Sequence, residues 1–102
     1  MNNKVYLIVD GVTVNDAHGS NSISHILGAT LTIKEANDYI MKQKISVDDQ
    51  GDYEVISDNK HWGSFKGCEP MVYWDYTLEY KDQTRVYHTI SWIEVSRLDK
   101  EP

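Results

Sequence analysis

From Val72 onward every second residue is apolar or aromatic: Val72, Trp74, Tyr76, Leu78 and Tyr80, with Tyr73, Asp75, Thr77 and Glu79 between them. A period of two marks a strand with one face buried and one wet, because successive side chains leave opposite sides of a pleated backbone. Val86, His88, Ile90 and Trp92 repeat the pattern a few residues later. Two such runs joined by a short loop predict an antiparallel hairpin whose large side chains form one wall of a core.

Loop length sets the register of that hairpin. A four-residue loop, Lys81 to Thr84, places Trp74 opposite Ser91 and Leu78 opposite Tyr87, so an apolar face lies beside a polar one. A three-residue loop, Asp82 to Thr84, pairs Lys81 with Arg85, Tyr80 with Val86, Leu78 with His88, Tyr76 with Ile90 and Trp74 with Trp92. A one-residue slip turns a strand inside out, so the second register is expected. Beyond Trp92 the apolar positions change phase to Ile93 and Val95, which predicts a bulge near Trp92 or a strand end covered on both sides.

The first half of the chain supplies the partners. Lys4 to Val9 is a continuous β-branched and apolar run, as in a strand buried on both faces. Asp10-Gly11 reads as a turn or bulge, with Val12 to Val14 extending the strand or starting a short partner. Asn15 to Ser22 reads as a solvated loop, and Ile23 to Leu31 as a strand pairing back on the first, with Gly28 marking a bulge or a close backbone approach. A helix begins at Thr32, because Thr32 and Glu35 have the spacing of a capping box. Ile33, Ala36, Ile40 and Met41 form its apolar stripe. A turn follows at Asp48 to Gly51, then a short strand, Tyr53 to Ile56, and an irregular stretch, Asp58 to Pro70. The expected fold is α+β, an antiparallel sheet of four to five strands packed against one main helix in the order ββαβββ. The reverse of the hairpin, with Tyr73, Tyr87 and Ile93, should stay partly exposed.

At 102 residues the chain is one small globular domain by length. Its net charge of -6 argues against direct nucleic-acid or anionic-membrane contact, because phosphate binding needs lysine and arginine. Cys68 is the single cysteine, so there is no internal disulfide and no paired-cysteine zinc or redox motif. The apolar run Val5 to Val9 is too short for a secretion signal or a membrane span, which points to the cytoplasm.

Chemistry-bearing residues concentrate between Lys60 and Pro70. Trp62 and Phe65 have the character of stacking platforms, and Lys60 and Lys66 with the amides near Gly63 and Gly67 have that of a phosphate cradle. The P-loop spacing is absent, and the plainer reading is a loop capping the core edge. Cys68 with His61 or His88 would make a nucleophile and base, but no spacing supports it. His18, His25, His61 and His88 lie on separate elements, with none of the spacings of a metal site. His88, on the buried hairpin face, reads as a hydrogen-bonded core or edge residue. The acidic stretch Asp48, Asp49, Asp52, Glu54 and Asp58 reads as a solvated surface. No catalytic constellation, metal set or cofactor motif is expected.

Lys4-Val-Tyr-Leu-Ile-Val9 and Leu27-Gly-Ala-Thr-Leu-Thr-Ile-Lys-Glu-Ala-Asn-Asp-Tyr-Ile40 together resemble small, uncharacterised proteins of phages and mobile elements. Those carry a strand, a second strand ending in Gly-x-x-Thr/Ser, and a helix with Glu-Ala and a following aromatic. The likeness covers about the first 45 residues and transfers no catalytic residue. It implies a binder that interferes with a host system. The expected function is a non-catalytic binding protein, phage- or prophage-encoded, that inhibits a host protein. Its expected contacts are Trp62, Phe65, Lys66, Tyr73 and Tyr87, since tryptophan and tyrosine anchor interfaces. Exposed tyrosines on a small sheet also suit a homodimer. The alternative is a nucleotide-like ligand held by the Trp62 to Cys68 loop, without a permanent cofactor.

Overall fold

The computed structural model describes residues 4–45, 53–63 and 71–96. Five strands, β1 (Lys4–Asp16), β2 (Gly19–Thr30), β3 (Tyr53–Gly63), β4 (Met71–Tyr80) and β5 (Arg85–Ser96), form one antiparallel sheet in the order β2-β1-β5-β4-β3. One helix, α1 (Ile33–Lys42), packs on one side of it. The architecture is the expected α+β arrangement with element order ββαβββ.

Period two places the even-numbered residues of β1, β4 and β5 on the helix side. Tyr6, Ile8 and Val12 from β1, Val72, Trp74 and Leu78 from β4, and Ile90 from β5 are all buried there. Ala36 and Ile40 of α1 close the core, with Ile33 and Tyr39 packed at its margin. Each fully buried aliphatic side chain, such as Ile8, Ile40 or Val72, contributes roughly 1.5–3 kcal/mol. The Thr32 hydroxyl accepts the Glu35 amide at 3.1 Å and donates to the Glu35 carboxylate at 3.0 Å, so the capping pair starts the helix where expected. Met41 does not join the stripe and is exposed, whereas Asn37 is buried in its place. The Asn37 side-chain oxygen accepts the Val72 amide at 2.9 Å and the Trp92 indole N–H at 2.7 Å. It sits where pairing between β4 and β5 ends, at Trp74↔Ile90.

The hairpin register departs from expectation by two residues. Trp74 faces Ile90, Tyr76 faces His88, Leu78 faces Val86 and Glu79 faces Arg85. The three-residue loop is Lys81–Gln83, one residue earlier than expected. Gln83 takes a left-handed conformation at φ 70, and Tyr80 and Thr84 bond across the turn at 2.8 Å. The Asp82 carboxylate accepts the Thr84 amide, and Arg85 pairs with Glu79 at 2.8 Å. These local contacts decide between registers that share the same faces. Trp92 lies opposite Ile8 instead of Trp74 and meets the Tyr6 ring edge-on at 5.4 Å. No bulge occurs there, since β1 and β5 pair without interruption from Lys4↔Ser96 to Asn15↔Arg85. Ile93 and Val95 therefore fall on the helix-free face.

Three further boundaries move. Asn15 to Ser22 is not a loop: β1 runs through Asp16, a two-residue turn at Ala17 and His18 follows, and β2 starts at Gly19. The bulge lies at Leu27 instead of Asp10-Gly11, because Ile8 faces Gly28 and Val9 faces Ile26. Gly28 is also a close approach, since a Cβ there would lie 3.5 Å from the Tyr39 ring. Asp58 to Gly63 is not irregular but continues β3. The turn expected at Asp48 to Gly51 lies outside the described residues.

Candidate functional site

The sheet has two faces of different chemistry. On the helix-free face Leu7 lies between Ala29 and Ile93, Val5 faces Val95, and Val9 faces Ile26. Ile26 is 67 % exposed, Ile93 49 % and Val95 39 %. Among the described residues no helix or strand packs over them. A lone exposed aliphatic residue is ordinary, whereas these side chains form one apolar cluster across three adjacent strands. Toward the β1–β2 turn the side chains of the same face become polar. The Thr13 and Ser22 hydroxyls bond at 3.1 Å, and Ser20 bonds Asn15.

Tyr73 and Tyr87 lie on this face, as the alternation predicts, with Tyr87 opposite Thr77. They stand roughly 13 Å apart along the strands, at about 3.3 Å per residue. Tyr73 stacks on His61 at 4.6 Å, and His61 Nε2 meets Asp75 Oδ2 at 2.8 Å. This pair is half in solvent, with side chains 38 % and 41 % exposed. Nothing in the spacing of His61 and Asp75 reveals the pairing, because it depends on the register of β3 against β4.

Trp62 is 62 % exposed, so it does not cap the core. It faces Val72 and so points to the helix side, opposite to Tyr73 and Tyr87. The structure does not bring Trp62 and the two tyrosines onto one surface. Phe65 and Lys66, with Cys68, lie outside the described residues, as do Asp48, Asp49 and Asp52. Lys60 is committed elsewhere: its ammonium donates to the Met41 and Gln43 carbonyls at 2.6 Å and sits 4.9 Å from the Trp74 ring centre. Of the acidic stretch, Asp58 accepts the Trp74 indole N–H at 2.6 Å.

The helix-side face holds a second histidine pair. His88 Nδ1 meets both Asp10 carboxylate oxygens, at 3.1 and 3.0 Å, with side chains only 17 % and 11 % exposed. Tyr76 stacks flat on the His88 ring at 4.4 Å and also contacts Trp74 at 4.6 Å. Burial, reinforced by the negative charge of Asp10, pushes the Tyr76 hydroxyl up to about 12. His88 is thus a hydrogen-bonded histidine on the buried face, as the pattern predicts. Its acceptor was not legible, because Asp10 reads in sequence as half of a turn signal. A carboxylate on Nδ1 orients the base in hydrolytic triads. Here no hydroxyl or thiol among the described residues bonds the opposite nitrogen.

Other polar groups are absorbed by local structure. A groove of 470 Å³ beside the β4–β5 turn is lined by Tyr80, Lys81, Asp82, Thr84 and Val86. Hydrogen bonds from the Thr84 backbone and hydroxyl hold the Asp82 carboxyl below its usual range and commit it to the turn. Among the described residues no three of His, Cys, Asp and Glu converge as a metal site, and no helix is long and apolar enough to cross a membrane. No family model, curated protein or solved structure matches the chain.

Proposed function

We propose that the protein is a non-catalytic binding protein that acts on another protein through the helix-free face of its sheet. The observation that carries this reading is the aliphatic cluster of Leu7, Ile26, Ile93 and Val95 on a face that nothing described covers. Placing such residues on a wet face costs solvation that partner contact recovers, at about 25 cal/mol per Å² of apolar surface removed from water. Tyr73 and Tyr87 supply aromatic contacts on the same face, with the polar pairs near the β1–β2 turn as a rim. The fitting partner presents an aliphatic or aromatic anchor to the cluster. The acidic balance disfavours nucleic acid as that partner. In the phage setting that the sequence resembles, occupying a host protein's surface in this way would inhibit it.

Immobilised protein and a bacterial lysate test the proposal, with mass spectrometry of what is retained. A partner held by the wild type and by Trp62→Ala should be lost from the Ile26→Thr, Ile93→Thr double variant. Undiminished retention by the double variant, with its fold intact, rejects the face.

A further inference from the structure

We propose that the free edge of β2 pairs antiparallel with β2 of a second copy of this chain, joining two five-stranded sheets into one across a two-fold axis. This is independent of the partner reading above, since it concerns the sheet's edge and not its face.

The two outer strands are unlike. β3 carries Glu54, Asp58 and Lys60 and a register break between Val55 and Ser57, the devices that keep an edge from pairing. β2 has none of the charges. Its twelve residues include no Asp, Glu, Lys, Arg or Pro, and the uncharged run extends over seventeen residues, from Ala17 to Ile33. The whole chain carries 10 basic and 16 acidic side chains among 102 residues, and each other described strand holds at least two of them. Two copies with a net charge of -6 repel wherever like charges meet, and β2 is the described strand along which they meet none.

The ladder geometry suits this use. The two-residue turn makes Asp16 and Gly19 a hydrogen-bonded pair, so Asn21, Ile23 and His25 bond toward β1 by alternation. Ser20, Ser22 and Ser24 then direct their backbone N–H and C=O groups outward, where described residues offer no strand to receive them. A strand pairing antiparallel with its own copy is self-complementary, as a two-fold interface requires. With Ser22 on the axis, Ser20 meets Ser24 of the second copy. The two helix-free faces then lie on the same side of a ten-stranded sheet.

Sedimentation equilibrium of the full chain tests the proposal. The wild type should run at twice 11.8 kDa and dissociate on dilution. Ser24→Pro removes an outward N–H and leaves the β1 ladder intact. Ser22→Lys sets two ammonium groups against each other at the axis. Each should weaken the dimer at least ten-fold, with the circular dichroism spectrum unchanged and the urea midpoint unchanged at dilutions where the wild type is itself monomeric. Because the lysine variant leaves the backbone untouched, it decides the matter if the proline variant misfolds. A wild-type monomer at every concentration overturns the proposal. So does a dimer that survives Ser22→Lys, or one lost only with Ile26→Thr, Ile93→Thr, which would place the contact on the face.

Discussion

The two faces of this sheet each hold a histidine, an aspartate and a stacked tyrosine, and the two sets differ in what surrounds them. On the helix side His88, Asp10 and Tyr76 are largely shielded from water. On the helix-free side His61, Asp75 and Tyr73 have comparable ring and hydrogen-bond distances, but both members of the hydrogen-bonded pair are about 40 % exposed. Similar geometry therefore does different work. In the shielded set, removing one partner leaves a polar group without water to replace it. In the wet set, solvent takes the vacancy. The helix side carries the core, and the helix-free side is the more solvated surface.

The largest expected effect separates the two aspartates. Asp10→Ala should cost up to about 3 kcal/mol, because it leaves the shielded His88 Nδ1 without its hydrogen-bond partner. Urea unfolding reads this as a lowered midpoint. A cost below about 1 kcal/mol would show that His88 is not held by burial. Asn37→Ala should cost about 2 kcal/mol, since it leaves both the Val72 amide and the Trp92 indole without their acceptor. Next comes a pH dependence. The unfolded tyrosine ionises near 10 and the folded Tyr76 near 12, so the folded state resists ionisation. The contribution of Tyr76 to stability is fully present below pH 10 and is lost as pH rises from 10 to 12. Tyr76→Phe should flatten that fall in pH-dependent thermal melts. Asp75→Ala should have the smallest effect, below about 1 kcal/mol, because a half-exposed polar pair gains little over solvent.

Much of this division was legible in the sequence, and the residues that escaped show why the rest was not. Alternation assigned Val72 to Tyr80 and Val86 to Trp92 to their faces, and put Tyr73, Tyr87 and Ile93 on the reverse. It did not fix the hairpin register, because a shift of two residues preserves every face. The turn decided it through the left-handed Gln83 and the Asp82 carboxylate. The change of phase after Trp92 looked like a bulge but records a strand whose far end is apolar on its outer side. Asn37 was invisible to a search for apolar stripes, since its value lies in two acceptor contacts across the core. Both histidine pairs join residues distant in sequence, 78 positions apart for Asp10 and His88, so only the folded sheet reveals them.

The division of labour between the faces is tested most directly by the Ile26→Thr, Ile93→Thr variant, assayed in parallel for urea midpoint and for retention of a captured protein partner. Both sites lie on the helix-free face and keep a β-branched side chain, so the unfolding free energy should move by about 1 kcal/mol or less while the partner is lost. An unfolding free energy that falls by several kcal/mol with the partner still retained would contradict the account, because it would make this face part of the core.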